Sequence, residues 1–172
     1  KKCAENILIQ SFKKLNNLKA LNIFRAFSFG GSYFNYDNHF AFDDFIKKRI
    51  QQKNISIINN GKSLRNYMHP LDLSCWVLLS KKFSKVNLLN TGAEENYSIR
   101  NLAKKIAEIS YRDIPSVKVI TGNKIFTENY IPNLRTSKKL GLKAKISLDM
   151  QIKDSLNYYY GKKNKCIKSS SL

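Results

Sequence analysis

Apolar and polar positions along this chain fall into blocks that switch between helical and strand spacing. Ala4, Ile7, Leu8, Phe12 and Leu15 recur at helical spacing with Lys13 and Lys14 off the stripe, which predicts a first helix. Asn16-Asn17 make a turn, and Ala20-Leu21-Asn22-Ile23-Phe24 reads as a buried strand, broken by Gly30-Gly31-Ser32. A loop rich in Tyr, Asn and Asp runs to about Asn38. Phe40, Phe42, Phe45, Ile46 and Ile50 then predict a helix, and Ile55 to Ile58 a short strand ended by Asn59-Asn60-Gly61. Leu71 to Leu79 reads as a helix that carries Trp76 inward, and Val86 to Leu89 as a strand closed by Thr91-Gly92. Ser98 is placed to cap a helix running to about Ile109, with Ile99, Leu102, Ala103, Ile106 and Ile109 on one face. Val117 to Ile120 form a further strand, and Ser147 caps a last helix from Leu148 toward Tyr160. Residues 161–172 are rich in Lys and Ser and read as a basic, disordered tail, so the folded part is expected at 1–160.

Alternating strands and helices argue for the α/β class. At 172 residues and 42% hydrophobic, the chain can bury a core as one domain or the larger part of one. Its seven Gly are isolated or sit in turns, so no Gly-rich strand–turn–helix fingerprint is present to cradle a dinucleotide. Lys1-Lys2-Cys3-Ala4-Glu5 reads as the middle of a helix, without an initiator Met or a capping side chain. The expectation is that the natural protein extends upstream.

Thirty-one Lys plus Arg against twelve Asp plus Glu give a net charge of +19. That balance suits a polyanion, but the basic residues are scattered, mostly Lys, and accompanied by many Asn and Ile. No nucleic-acid-binding signature accompanies them, so an anionic small substrate in the positive field is the better reading. No apolar run approaches the ~18 residues of a membrane span. Cys3, Cys75 and Cys166 are far apart, which suggests reduced thiols in a cytoplasm. With only His39 and His69, a His-rich zinc site is not expected.

Five segments, in order, resemble the C-terminal half of the NAD-dependent nucleotide-sugar epimerase/dehydratase family, the extended short-chain dehydrogenases. Lys1-Lys2-Cys3-Ala4-Glu5 matches the Lys-x-x-Ala-Glu that begins at the family's catalytic Lys. Arg25-Ala26-Phe27-Ser28-Phe29-Gly30-Gly31 resembles its Arg-Pro-Phe-Asn-x-Tyr-Gly turn, with Gly30 where the family has Tyr. Asn60-Gly61-Lys62-Ser63-Leu64-Arg65-Asn66-Tyr67-Met68-His69, followed by Asp72, resembles its Asp-Gly-x-x-x-Arg-Asp-Phe-x-His/Tyr stretch. Leu89-Asn90-Thr91-Gly92 with Tyr97-Ser98-Ile99 is similar to its Tyr-Asn-x-Gly and Ser-Ile helix start. Lys139-Leu140-Gly141-Leu142, then Ser147-Leu148, resembles its Leu-Gly-Trp turn and closing helix.

The resemblance implies a Rossmann-like extended short-chain dehydrogenase without its N-terminal dinucleotide-binding part, acting on a nucleoside diphosphate sugar in polysaccharide precursor metabolism. Lys1 would be catalytic, holding the ribose of NAD or NADP and lowering the pKa of an acid/base Tyr one helical turn upstream. Most of the cofactor would be bound by the N-terminal half. Ala26, Phe27 and Ser28 occupy the turn that passes nicotinamide and sugar, although Ser28 offers one hydroxyl where many members have an Asn amide. Phe24, Phe27 and Phe29 could equally be core. Arg65 would grip the diphosphate through its planar fork, with Lys124 as a second cation. His39 and Phe40 would close over sugar and base, or simply start a helix and pack inside. Arg25 is expected to be structural, Asp72 to orient a loop or cap its helix, and His69 to support Arg65. The helix from Lys1 to Leu15 would contribute to a homodimer. Epimerase, dehydratase, decarboxylase and reductase all stay open, as does a non-catalytic remnant or basic domain that binds anionic ligands.

Overall fold

A computed structural model describes residues 1–15, 17–32, 40–109, 117–120 and 127–169. Helix α1 (Lys2–Lys14) leads into strands β1 (Ala20–Arg25) and β2 (Ser28–Phe29), helix α2 (Ala41–Ile50) and strand β3 (Ile55–Ile58). Strands β4 (Leu64–Arg65) and β5 (Tyr67–Met68) precede helix α3 (Pro70–Leu79), a 3₁₀ turn (Ser80–Lys82) and strand β6 (Lys85–Asn90). Strand β7 (Tyr97–Ser98), helix α4 (Ile99–Glu108), strand β8 (Val117–Ile120), helix α5 (Arg135–Lys139) and helix α6 (Leu148–Ser169) complete the order.

The chain is α/β, as the alternation predicts. β1 and β6 pair in parallel from Ala20↔Lys85 to Arg25↔Asn90, and β3 and β8 pair in parallel from Ile55↔Val117 to Ile58↔Ile120. Parallel neighbours need crossover connections, which the intervening helices supply. Two short pairings join these layers, β2 parallel to β5 and β4 antiparallel to β7. They bring the end of β1 beside the Arg65 region.

The main core lies between α2, α4, α6 and β3, where Phe42, Ile46, Ile55, Leu102, Ile106 and Ile152 are fully buried. Each such side chain contributes roughly 1.5–3 kcal/mol on leaving water. A second cluster of Met68, Trp76, Leu89 and Leu142 ties β5, α3 and β6 to the turn after α5. Trp76 faces inward as predicted. The predicted caps are in place: Ser98 Oγ accepts from the Asn101 N–H at 3.1 Å, and Ser147 Oγ from the Met150 N–H at 3.3 Å.

The predicted first helix is present, and its stripe stays exposed in this chain: no residue of α1 is buried, and Ile7 is 66% exposed. Its half-buried positions are Glu5, Ile9 and Phe12, because the helix lies chiefly along β1. The last helix does not stop near Tyr160 but continues to Ser169. Lys, Asn and Ile after Gly161 tolerate helix, and a side chain on Gly161 would meet nothing. Among the described residues, no helix is long and apolar enough to cross a membrane.

Candidate functional site

The loop after β1, the start of α2 and the β4–β5 segment meet around an open cleft of about 620 Å³. Lys1 reaches it from the head of α1, where the Lys1 carbonyl accepts from the Glu5 N–H at 3.1 Å. Ala26, Phe27 and Ser28 supply one wall. The Phe27 ring lies 4.6 Å from that of Tyr130, at a tilted angle, which makes a two-ring aromatic surface. Phe40, at the N-cap of α2, is 69% exposed and stands in the cleft, whereas Phe42 packs inside.

Arg65 is held by its backbone and by its side chain. β4 pairs Arg65 with Tyr97, and Arg65 also bridges to Tyr130. Its Nη1 donates to the carbonyls of Leu64 and Glu128, leaving Nε and Nη2 without a partner among the described residues. A guanidinium tethered at one corner keeps a planar pair of donors for a carboxylate or phosphate. Asn66 next to it is buried and locks the facing loop: Nδ2 donates to Ala93 O, Glu95 O and Asn96 Oδ1, and Oδ1 accepts from the Ala93 N–H at 2.7 Å.

Thus Lys1, Ala26, Phe27, Ser28, Phe40 and Arg65, separate in sequence, share one cleft. His39 and Lys124 lie outside the described residues. No group of three or more His, Cys, Asp or Glu that could hold a metal occurs among the described residues.

The same arrangement of elements recurs in solved structures. UDP-glucose 4-epimerase from Thermotoga maritima, crystallised with UDP-glucose, superposes with a TM-score of 0.77 at 20% identity, over 94% of this chain and 52% of that one. UDP-N-acetylglucosamine 4-epimerase from Methanobrevibacter ruminantium, in complex with UDP-N-acetylmuramic acid, gives 0.76 at 16% identity, over 94% and 52%. UDP-glucose 4-epimerase from Bifidobacterium longum, in complex with NAD+ and UDP, gives 0.71 at 18% identity, over 93% and 53%. No protein-family profile and no curated protein sequence matches the chain. The chain has the fold of about half a UDP-sugar 4-epimerase. That is a partial Rossmann-like fold of the extended short-chain dehydrogenase type, and the chain spans about half the length of each structure it matches.

Three residues expected to have structural roles hold neighbouring segments. Arg25 is structural as expected, donating from Nε at 2.8 Å and from Nη2 to the Glu5 carboxylate, which that bond holds below the usual Glu range. The pair is exposed and fastens α1 to the end of β1. Asp72 orients a loop: its two oxygens accept from the N–H groups of Lys145 and Ile146, each at 3.0 Å. His69, expected to support Arg65, bonds to other partners. Its Nδ1 accepts from the Leu71 N–H and caps α3, and its Nε2 lies 3.2 Å from Asp154 Oδ2. Partial burial works to raise the Asp154 pKa, but bonds from Ser32 and His69 outweigh it and leave that carboxyl below its ordinary value.

Four further residues of the cleft were not singled out from the sequence: Asp43, Tyr67, Glu128 and Tyr130. Tyr67 had a usable signal, because it stands two positions after Arg65 and strand alternation puts both on one side. Tyr67 is 5% exposed, and burial holds its phenol above the usual Tyr range. Tyr130 and Glu128 arrive through a bridge to Arg65 that no local pattern announces. Asp43 looked like an ordinary acidic residue in a helix's first turn, a favourable place for negative charge. In the fold it is 8% exposed, and burial pushes its carboxyl up to about 6.

Proposed function

We propose that this chain is the substrate-binding, C-terminal half of an NAD(P)-dependent nucleotide-sugar epimerase or dehydratase. The observation that carries this reading is the convergence of Lys1, Ala26–Ser28, Phe40 and Arg65 on one cleft. An anionic ligand enters a strongly positive field, with a net charge of +19 over the chain. Arg65 takes its diphosphate on Nε and Nη2, which have no partner among the described residues. The Phe27–Tyr130 surface and Phe40 offer apolar faces to a sugar or base.

The residues present fit one side of a dinucleotide: Lys1 would hold the ribose, and Ala26, Phe27 and Ser28 would line the nicotinamide end of the cleft. NAD, when bound, supplies hydride transfer to and from a sugar carbon. Nothing in this sequence matches the family's Gly-rich turn. Catalysis in this reading therefore needs a further half with that turn and the acid/base Tyr. The exposed apolar positions Ile7 and Leu8 of α1, with Leu15 at its C-cap, support an interface on that helix, either with that half or in a homodimer. A cytoplasmic, reduced setting goes with this role.

The test is calorimetric titration of the chain with UDP-glucose, beside Arg65→Leu. Binding that weakens about tenfold or more in the variant, with an unchanged fold by circular dichroism, supports the reading. Equal binding by both proteins, or none by either, refutes it. A second class of function, an anion-binding domain without turnover, is separated by supplying an N-terminal half that carries the Tyr and the Gly-rich turn. Epimerase activity on recombination excludes it.

A further inference from the structure

Asp43 is a misfit within the cleft. It lies in the first turn of α2, with Phe42 and Phe45 of the same helix in the core. It is more than nine-tenths buried, and its Oδ1 is closed to solvent and meets no donor among the described residues. Buried polar atoms almost always have a partner, and a carboxylate left without one is costly. Asp44, its neighbour, takes Lys48 at 2.8 Å on the other side of the turn.

The residue is also part of the wall of the cleft that contains Arg65 and Tyr67. Arg65 presents donors and Asp43 presents an acceptor, so the cleft has two complementary recognition groups. An anion alone satisfies only the first. A ligand that combines an anionic group with hydroxyl or N–H donors satisfies both.

We infer that Asp43 is the specificity-determining residue of this cleft, accepting a hydrogen bond from a hydroxyl or N–H of the ligand whose anionic group pairs with Arg65. This rests on the nucleotide-sugar reading above and adds to it the group that tells a phosphorylated polyol from a bare phosphate. At neutral pH the carboxyl is ionised, and a charged acceptor gives the stronger kind of hydrogen bond. A carboxylate also repels phosphate, so discrimination against ligands without donors follows from the same group.

The experiment is NMR titration of the full chain at pH 7.5, which reads millimolar affinities, with UDP-glucose and with inorganic pyrophosphate. The variants are Asp43→Leu, which removes the acceptor, and Asp43→Asn, which keeps one acceptor oxygen and the shape. Folding of each is checked by the dispersion of the same spectra. The expected result is a loss of tenfold or more in UDP-glucose affinity for Asp43→Leu and a smaller loss for Asp43→Asn. Pyrophosphate affinity should be unchanged or higher in both. Wild-type affinity for UDP-glucose in both variants would overturn the role of Asp43 while leaving the cleft reading standing. Equal losses for both ligands, or equal gains, would make Asp43 structural or merely repulsive and also overturn it. A wild-type chain that binds no UDP-glucose would overturn the nucleotide-sugar reading, and this inference with it. If Asp43→Leu fails to fold, Asp43→Asn decides: an unchanged preference for UDP-glucose over pyrophosphate refutes the inference, a reduced one supports it.

Discussion

Replacing Asp43 by Asn removes a buried charge while keeping the side chain's shape, and we expect the variant to be more stable than the parent at neutral pH. Burial alone pushes this carboxyl up to about 6, against ~3.9 for an Asp in an unfolded chain. The folded chain therefore holds the proton more tightly than the unfolded one. The sign follows: Asp43 costs nothing well below pH 4, its cost grows as pH rises from about 4 to about 6, and it is constant above that. That difference between folded and unfolded chain converts to ~3 kcal/mol at pH 7.5, falling to about 0.5 kcal/mol at pH 4. Asn resembles the protonated acid and carries none of this charge-related cost. Urea unfolding followed by circular dichroism at pH 4, 5.5 and 7.5 measures the difference between the two proteins. Taking the difference cancels the opposite dependence of Asp154, whose lowered pKa adds stability that is lost on acidification. A gain of the same size at pH 4 and pH 7.5 would assign the effect to packing. No gain at pH 7.5 would mean the carboxylate has found a partner, and the reasoning about its burial would fail.

Asn66→Ala should destabilise by about 2–4 kcal/mol in the same urea assay, because it strands the acceptors and the Ala93 N–H that Asn66 joins. Gly31→Ala should cost at least ~1 kcal/mol and lower the thermal midpoint. Gly31 sits at φ +125°, and an added Cβ would lie 2.7 Å from the His69 ring. Asp72→Ala should release the Lys145–Ile146 backbone, read as faster amide hydrogen exchange there, with a stability loss of about 2 kcal/mol.

The sequence by itself determined the long elements and their buried faces. Ile99, Leu102, Ala103 and Ile106 repeat over about two turns, and such an apolar stripe behind a capping Ser has few alternatives to a helix lying on a core. Ser98 and Ser147 marked helix starts because a cap is a local interaction, decided within a few residues. The short motif around Arg65 drew attention to a residue that lines the cleft. What the tertiary structure alone decided is everything that depends on which segments become neighbours. The pairs β2–β5 and β4–β7 involve two residues per strand, too few for any period to show. They nonetheless bring Ser28 and Arg65 to one cleft. The apolar stripe of α1 is exposed in this chain, because periodicity reports a face and not whether anything in this chain covers it. Asp43 shows the converse. Its neighbours in sequence suit a solvent-facing acid at a helix N-terminus, and only the packing of α2 into the fold takes its water away. Desolvation is a property of the assembled surroundings, so the most perturbed carboxyl in the cleft left no trace in the order of residues.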